Sequence, residues 1–200
     1  ECRQAVLDSY EVSNEVCRAV PHPLVTVRII TYNHESYIRD CLDGVLMQET
    51  DFEFEFIIGE DCSTDATRAI TLEYAEKYPN VIRLITADRN VGVRLNGMRC
   101  RLATRGKFVA LCEGDDYWTE PTKLQRQIDV LRRYPDCTVC IHGASFMDVQ
   151  SGRSGEIRPA RRDGVIAFKD FFETDTESYP TASIMWRMIP AVTEGMIAGL

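Results

Sequence analysis

From Leu24 onward the chain alternates between two hydrophobic periods, and no other feature restricts its fold as strongly. "LVTVRIIT" (24–31) is β-branched and apolar, which predicts a strand buried on at least one face. "SYIRDCLDGVLMQ" then sets Tyr37, Ile38, Cys41, Leu42, Val45 and Leu46 at helical spacing. "FEFEFIIG" (52–59) returns to a strand pattern. "STDATRAITLEYAEKYP" reads as a helix with Ser63, Thr64 and Asp65 as cap candidates and Pro79 as its stop. "VIRLIT" (81–86) is a third strand, a short helix covers about 96–103, and "KFVALC" (107–112) is a fourth strand. "TKLQRQIDVLRRYP" is a further helix, and "CTVCIH" (137–142) a fifth strand. Strands alternating with crossover helices predict an α/β fold: a mostly parallel sheet with helices on both faces. With 44% hydrophobic residues the chain can fill both sides of such a sheet.

Three regions fall outside this core of 23–143. Val6, Leu7, Tyr10, Asn14 and Cys17 lie roughly on one face, so residues 1–22 read as a leader helix ended by "PHP". Residues 144–200 are an acceptor-side extension. It comprises a polar, Gly-rich loop or hairpin ("DVQSGRSGEIRPARRDG"), a short helix ("FKDFFE") and a strand ("TASIMWRM"). The absence of an initiating Met and the unfinished "GMIAGL" suggest a truncated chain.

In parallel α/β sheets, ligands bind beyond the carboxyl ends of the strands. Polar clusters stand at three of those ends: "TYNHE", "EDCSTD" and "EGDDYW". In the last, Asp115 and Asp116 form an adjacent carboxylate pair suited to Mn²⁺ or Mg²⁺, which take oxygen ligands and often share them with substrate phosphates. Alone, the pair reads slightly better as a turn and helix cap; with the preceding strand and the other two clusters, metal binding is the stronger reading. Asp61 can accept the N3–H of uracil or thymine. Thr31 offers backbone groups, and Tyr32 is equally suited to stack on a base or pack against the next helix. His34 is read as a surface residue. Arg89, Arg94, Arg99 and Arg101 are local cations, of which Arg94 is the candidate for a diphosphate. "GVRLNG" does not match the dinucleotide fingerprint, and the chain has no Gly-Lys-Ser/Thr phosphate loop.

The formal net charge of −8 argues against a nucleic-acid partner and requires a cation or basic cluster for any phosphorylated substrate. The eight cysteines are scattered and read as reduced thiols of a cytoplasmic protein; Cys137 and Cys140 read as alternating on a strand rather than binding metal. No stretch has membrane-spanning length, and no signal peptide is visible.

Taken together, "LVTVRIITYNHESYIRDCLDGVLMQ", "FEFIIGEDCSTDATRAI", "NVGVRLNG" and "GKFVALCEGDDYWTEPTKLQRQ" resemble the nucleotide-binding half of glycosyltransferase family 2, with its GT-A (Rossmann-like) fold. The resemblance covers about 23–134. It implies that Asp61 reads the base, that Tyr32 stacks on it, and that Asp115 and Asp116 take the ribose and metal roles. Glu60 and Glu113 stand where the family often has Asp. The implied reaction is inverting, metal-dependent transfer from a UDP- or dTDP-sugar to a hydroxyl of a saccharide or lipid-linked acceptor, in the cytoplasm or at the inner face of the membrane. Asp175, Glu177 and Glu194 match no motif for the general base, which is therefore expected beyond Leu200. A sugar nucleotidyltransferase, or a nucleotide-binding module without turnover, are the competing readings.

Overall fold

A computed structural model describes residues 8–12, 22–158, 164–166 and 179–189. The elements are β1 (Tyr10–Val12), β2 (Val25–Thr31), α1 (Ile38–Leu46), β3 (Phe54–Glu60), α2 (Thr67–Lys77), β4 (Ile82–Thr86), α3 (Val93–Ala103), β5 (Phe108–Leu111), α4 (Lys123–Arg133), β6 (Val139–Cys140), β7 (Ala144–Asp148), β8 (Arg153–Ile157) and β9 (Met185–Arg187). A 3₁₀ turn, Thr181–Ser183, precedes β9. The main sheet runs β1-β4-β3-β2-β5-β9-β6, and β7 and β8 form a separate hairpin.

The central four strands, β4, β3, β2 and β5, are parallel, as the alternation predicts. Their residues divide by parity. Val25, Val27, Ile29, Phe56 and Ile58 meet Ile38, Leu42 and Val45 of α1, Ile70 and Tyr74 of α2, and Leu124, Ile128 and Leu131 of α4. On the other face Ile57 and Ile85 pack with Cys100 of α3. Gly59 permits that contact: a Cβ there would run into Cys100 Sγ and Asn96 Oδ1. Asn96 uses the approach to donate to the Gly59 carbonyl at 2.7 Å.

Two expectations change. Residues 10–12 are not part of a leader helix. Tyr10, Glu11 and Val12 pair antiparallel with Thr86, Ile85 and Leu84, so the open edge of β4 takes them as a strand. The Glu11 carboxylate accepts from Arg83 Nε at 2.9 Å, and Tyr10 Oη donates to Asp88 at 3.0 Å. The fifth strand is also shorter than expected and does not join β5. β9 inserts between them, antiparallel to both. The crossover through α4 still delivers β6 parallel to β5 in direction, but one strand-width away. Of the extension, the hairpin and the later strand form, whereas "FKDFFE" lies outside the described residues.

A buried charge network ties the amino ends of the strands. Glu55 is 2% exposed; it accepts from Thr26 Oγ1 at 2.9 Å and Arg83 Nη1 at 3.3 Å, and pairs with Arg105.

Candidate active site

The carboxyl ends of β2, β3 and β5 bring the three polar clusters to one rim. The first two loops are joined by reciprocal bonds. Ser63 Oγ accepts from Asn33 N (3.1 Å), Asn33 Oδ1 from Thr64 N (2.9 Å), Asp65 Oδ2 from Glu35 N (3.1 Å), and Glu35 Oε2 from Ala66 N (2.9 Å). Asn33 and Cys62 sit in the left-handed region (φ 56° and 58°), which Asn tolerates better than most residues. Ser63 and Thr64 therefore serve the loop junction rather than the helix cap. Asp65 holds the first turn of α2 through Thr67 N at 2.9 Å, with Ala66 in the cap position.

Asp61 is 2% exposed. Its two oxygens accept from Val91 N (2.9 Å) and Gly92 N (2.8 Å), and Arg99 stands 3.7 Å from one of them. It thus anchors the β4–α3 loop to the rim. A carboxylate has about four lone-pair directions, so capacity for a further donor remains. Glu60, fully buried, faces inward. It accepts from Ser63 N at 2.6 Å and Thr86 Oγ1 at 2.8 Å, a structural role. Arg99 is buried as well and donates to the Glu60 carbonyl at 2.6 Å. Arg89 pairs with Asp8 at 3.0 Å, while Arg94 lies exposed on the first turn of α3.

The third cluster is locked to the first by Gly114. Its N–H donates to the Ile30 carbonyl at 3.1 Å. A Cβ there would lie 2.5 Å from Thr31 Oγ1 and 2.7 Å from His34 Nδ1. His34 is consequently part of the rim and not a surface residue. It is half-buried, its Nδ1 is 3.3 Å from the buried Thr31 hydroxyl, and its field lowers the proton affinity of Asp116. Tyr32 is 41% exposed at the rim.

Asp115 is exposed, whereas Asp116 and Glu113 are half-buried. Burial, then the neighbouring Asp115 and Asp116, push the Glu113 carboxyl up to about 7, against the opposing pull of Arg28. Burial and Asp115 likewise raise Asp116. Among the described residues, no three His, Cys, Asp or Glu side chains converge tightly enough to hold an ion by themselves. The donor set still fits a divalent cation. Carboxylates crowded until they retain protons gain from an ion between them, and Mg²⁺-type sites commonly take one or two carboxylates with substrate phosphates.

The model of glycosyl transferase family 2 matches residues 26–189. The chain belongs to this family. It is 43% identical over 155 residues to the uncharacterized protein Rv1520 of Mycobacterium tuberculosis, covering 75% of the chain and 45% of that protein. It is 33% identical over 143 residues to the putative glycosyltransferase EpsH of Bacillus subtilis, covering 70% and 40%. The chain thus spans less than half the length of these relatives. Staphylococcus aureus TarS 1–349 in complex with UDP superposes with a TM-score of 0.62 at 21% identity, over 86% of this chain and 48% of that one. A Pyrobaculum calidifontis mannosyltransferase in complex with GDP-Man and Mn²⁺ gives 0.53 at 21% identity, over 70% and 41%. The mainly parallel sheet flanked by helices is the fold of GT-A glycosyltransferases. Among the described residues no helix is long and apolar enough to cross a membrane. Asp175, Glu177 and Glu194 lie outside the described residues.

His34 at the rim and Arg28, beneath it in the middle of β2, are the residues that the sequence reading missed. The signal for Arg28 was available: a cation inside "LVTVRIIT", a run otherwise suited to burial.

Proposed function

We propose that this chain is the donor-binding part of an inverting glycosyltransferase that uses a UDP- or dTDP-sugar. The observation that carries the proposal is the rim itself: Tyr32, Asp61, Asp115 and Asp116, from three loops, around strand ends joined through Gly114. Tyr32 offers its exposed ring to the base, and Asp61 accepts the imide N–H with a remaining lone pair. Asp115 takes ribose hydroxyls, Thr31 contributes backbone groups, and Arg94 meets the diphosphate. Asp115 and Asp116 would hold Mn²⁺ or Mg²⁺. When bound, the ion offsets the charge of the departing diphosphate. In the in-line displacement, the acceptor hydroxyl loses its proton to a carboxylate that we assign outside the described residues.

A donor screen by thermal shift, run with UDP-, dTDP- and GDP-sugars and MnCl₂, tests this reading. Stabilisation by uracil or thymine nucleotides, with slow donor hydrolysis, is the expected outcome. Preference for a nucleoside triphosphate would instead indicate a nucleotidyltransferase. Nucleotide binding without any hydrolysis would indicate a module that only binds.

A further inference from the structure

Beneath the carboxylate rim, on the α3 face of the sheet, lies a second polar cluster that the donor reading does not use. Arg28 points there from the middle of β2, in register with Ile57 of β3 and Leu111 of β5. Its guanidinium carbon lies 5.3 Å from the centre of the Trp186 ring of β9. Its Nε is buried and has no hydrogen-bond partner. Among the described residues no carboxylate forms an ion pair with Arg28 or Arg101. Arg101 follows Cys100 on α3, which packs on Ile57 beside Arg28; burial, and to a lesser degree the Arg101 charge, disfavour protonation of Arg28. The Glu113 charge favours the protonated form of Arg28 without pairing with it. Ile30, Leu111 and Trp186 around the cluster are all half-buried, so the face is neither sealed nor fully wet.

A cation in the central strand of a sheet costs stability unless something accepts its hydrogen bonds. The usual solution appears elsewhere in this protein, where Arg83 is satisfied by Glu11 and Glu55. Arg28 lacks it. A planar guanidinium with an indole on one side is suited to a planar or tetrahedral oxyanion carried on a sugar ring.

We infer that Arg28, Arg101 and Trp186 form a subsite for an acidic saccharide, in which the guanidinium groups bind a carboxylate or phosphate on the sugar and the indole borders the ring. This rests on the glycosyltransferase reading and adds a substrate class to it: sugars bearing an anionic group are selected over neutral ones.

The test uses this chain labelled with nitrogen-15, whose two tryptophans give two indole signals, assigned with Trp186→Phe. D-glucuronate, glucose 6-phosphate and glucose are titrated separately, and UDP affinity with MnCl₂ is measured in parallel. Saturable movement of the Trp186 signal by glucuronate alone identifies a uronate subsite, and by glucose 6-phosphate alone a sugar-phosphate subsite. Movement by both establishes the shared anion chemistry. Arg28→Gln should weaken the effect by about tenfold or more, the scale of a lost charge-assisted bond. Arg101→Gln, on a helix surface, should weaken it less and guards against a folding defect in the first variant. Equal response to glucose, no response to either acid, or indifference to both substitutions overturns the subsite. UDP binding that persists in that case leaves the donor reading standing, and loss of UDP binding with the Trp186 response intact would do the reverse.

Discussion

At the residue scale, the rim works by close approach and crowded charge. Gly114→Ala forces a Cβ against Thr31 and His34 at 2.5–2.7 Å, contacts that must open. We expect a loss of about 1–3 kcal/mol, a lower Tm and weaker UDP binding, read by thermal denaturation and calorimetry. Glu113 gives a pH signature. Its folded carboxyl titrates near 7, above its ordinary 4.5, so the folded state binds the extra proton between those values. Stability is therefore fully present below about 4.5 and falls as pH rises to 7, by up to about 3 kcal/mol. Glu113→Gln should flatten that slope. MnCl₂ with UDP should raise Tm more at pH 7.5 than at pH 5.5, where the ion must displace protons. An unchanged slope in the variant would contradict this assignment. That Asp61, Asp115 and Asp116 stand at strand ends was legible in the sequence, because Asp61 directly follows one apolar strand and the Asp pair comes four residues after another. His34 was not, because only the packing of Gly114 brings that loop within reach of Asp116.

At the element scale, the parallel core was legible because apolar strands alternate with helical segments, two of which stop at Tyr-Pro. The edges were not. Tyr10–Val12 carries a helical spacing, yet the exposed edge of β4 offers it backbone partners, and tertiary pairing outweighs a weak local preference. β9 cannot be placed from its pattern either, because its insertion between β5 and β6 depends on a connection through residues distant in sequence. Two substitutions probe this layer. Glu55→Ala removes the carboxylate shared by Arg83 and Arg105 and leaves buried cations with less compensation. Breaking a buried pair costs about 3–5 kcal/mol. Tm should fall by about 10 °C, while UDP affinity changes little, because Glu55 sits at the opposite end of β3 from Asp61. Gly59→Ala drives a methyl into Asn96 and Cys100, and should shift α3 and lower both Tm and nucleotide affinity. If Gly59→Ala melts like the parent, α3 does not pack as described.

At the scale of the whole molecule, the net charge of −8 decides what donor binding requires. A nucleotide diphosphate approaching an acidic rim is repelled unless a cation intervenes, and exposed Arg94 alone is a modest counterweight. Family membership and the GT-A sheet follow from the match over 26–189 and the superpositions. The use of the rim for a uracil or thymine nucleotide and a metal ion is the claim on which the functional account depends. Calorimetric titration of this chain with UDP, in MnCl₂ and in EDTA, for the parent and Asp116→Asn, tests it most directly. One-site binding is expected in manganese, weakened about tenfold or more by EDTA or by the substitution. Equal affinity under all four conditions, or no binding in any, would contradict it.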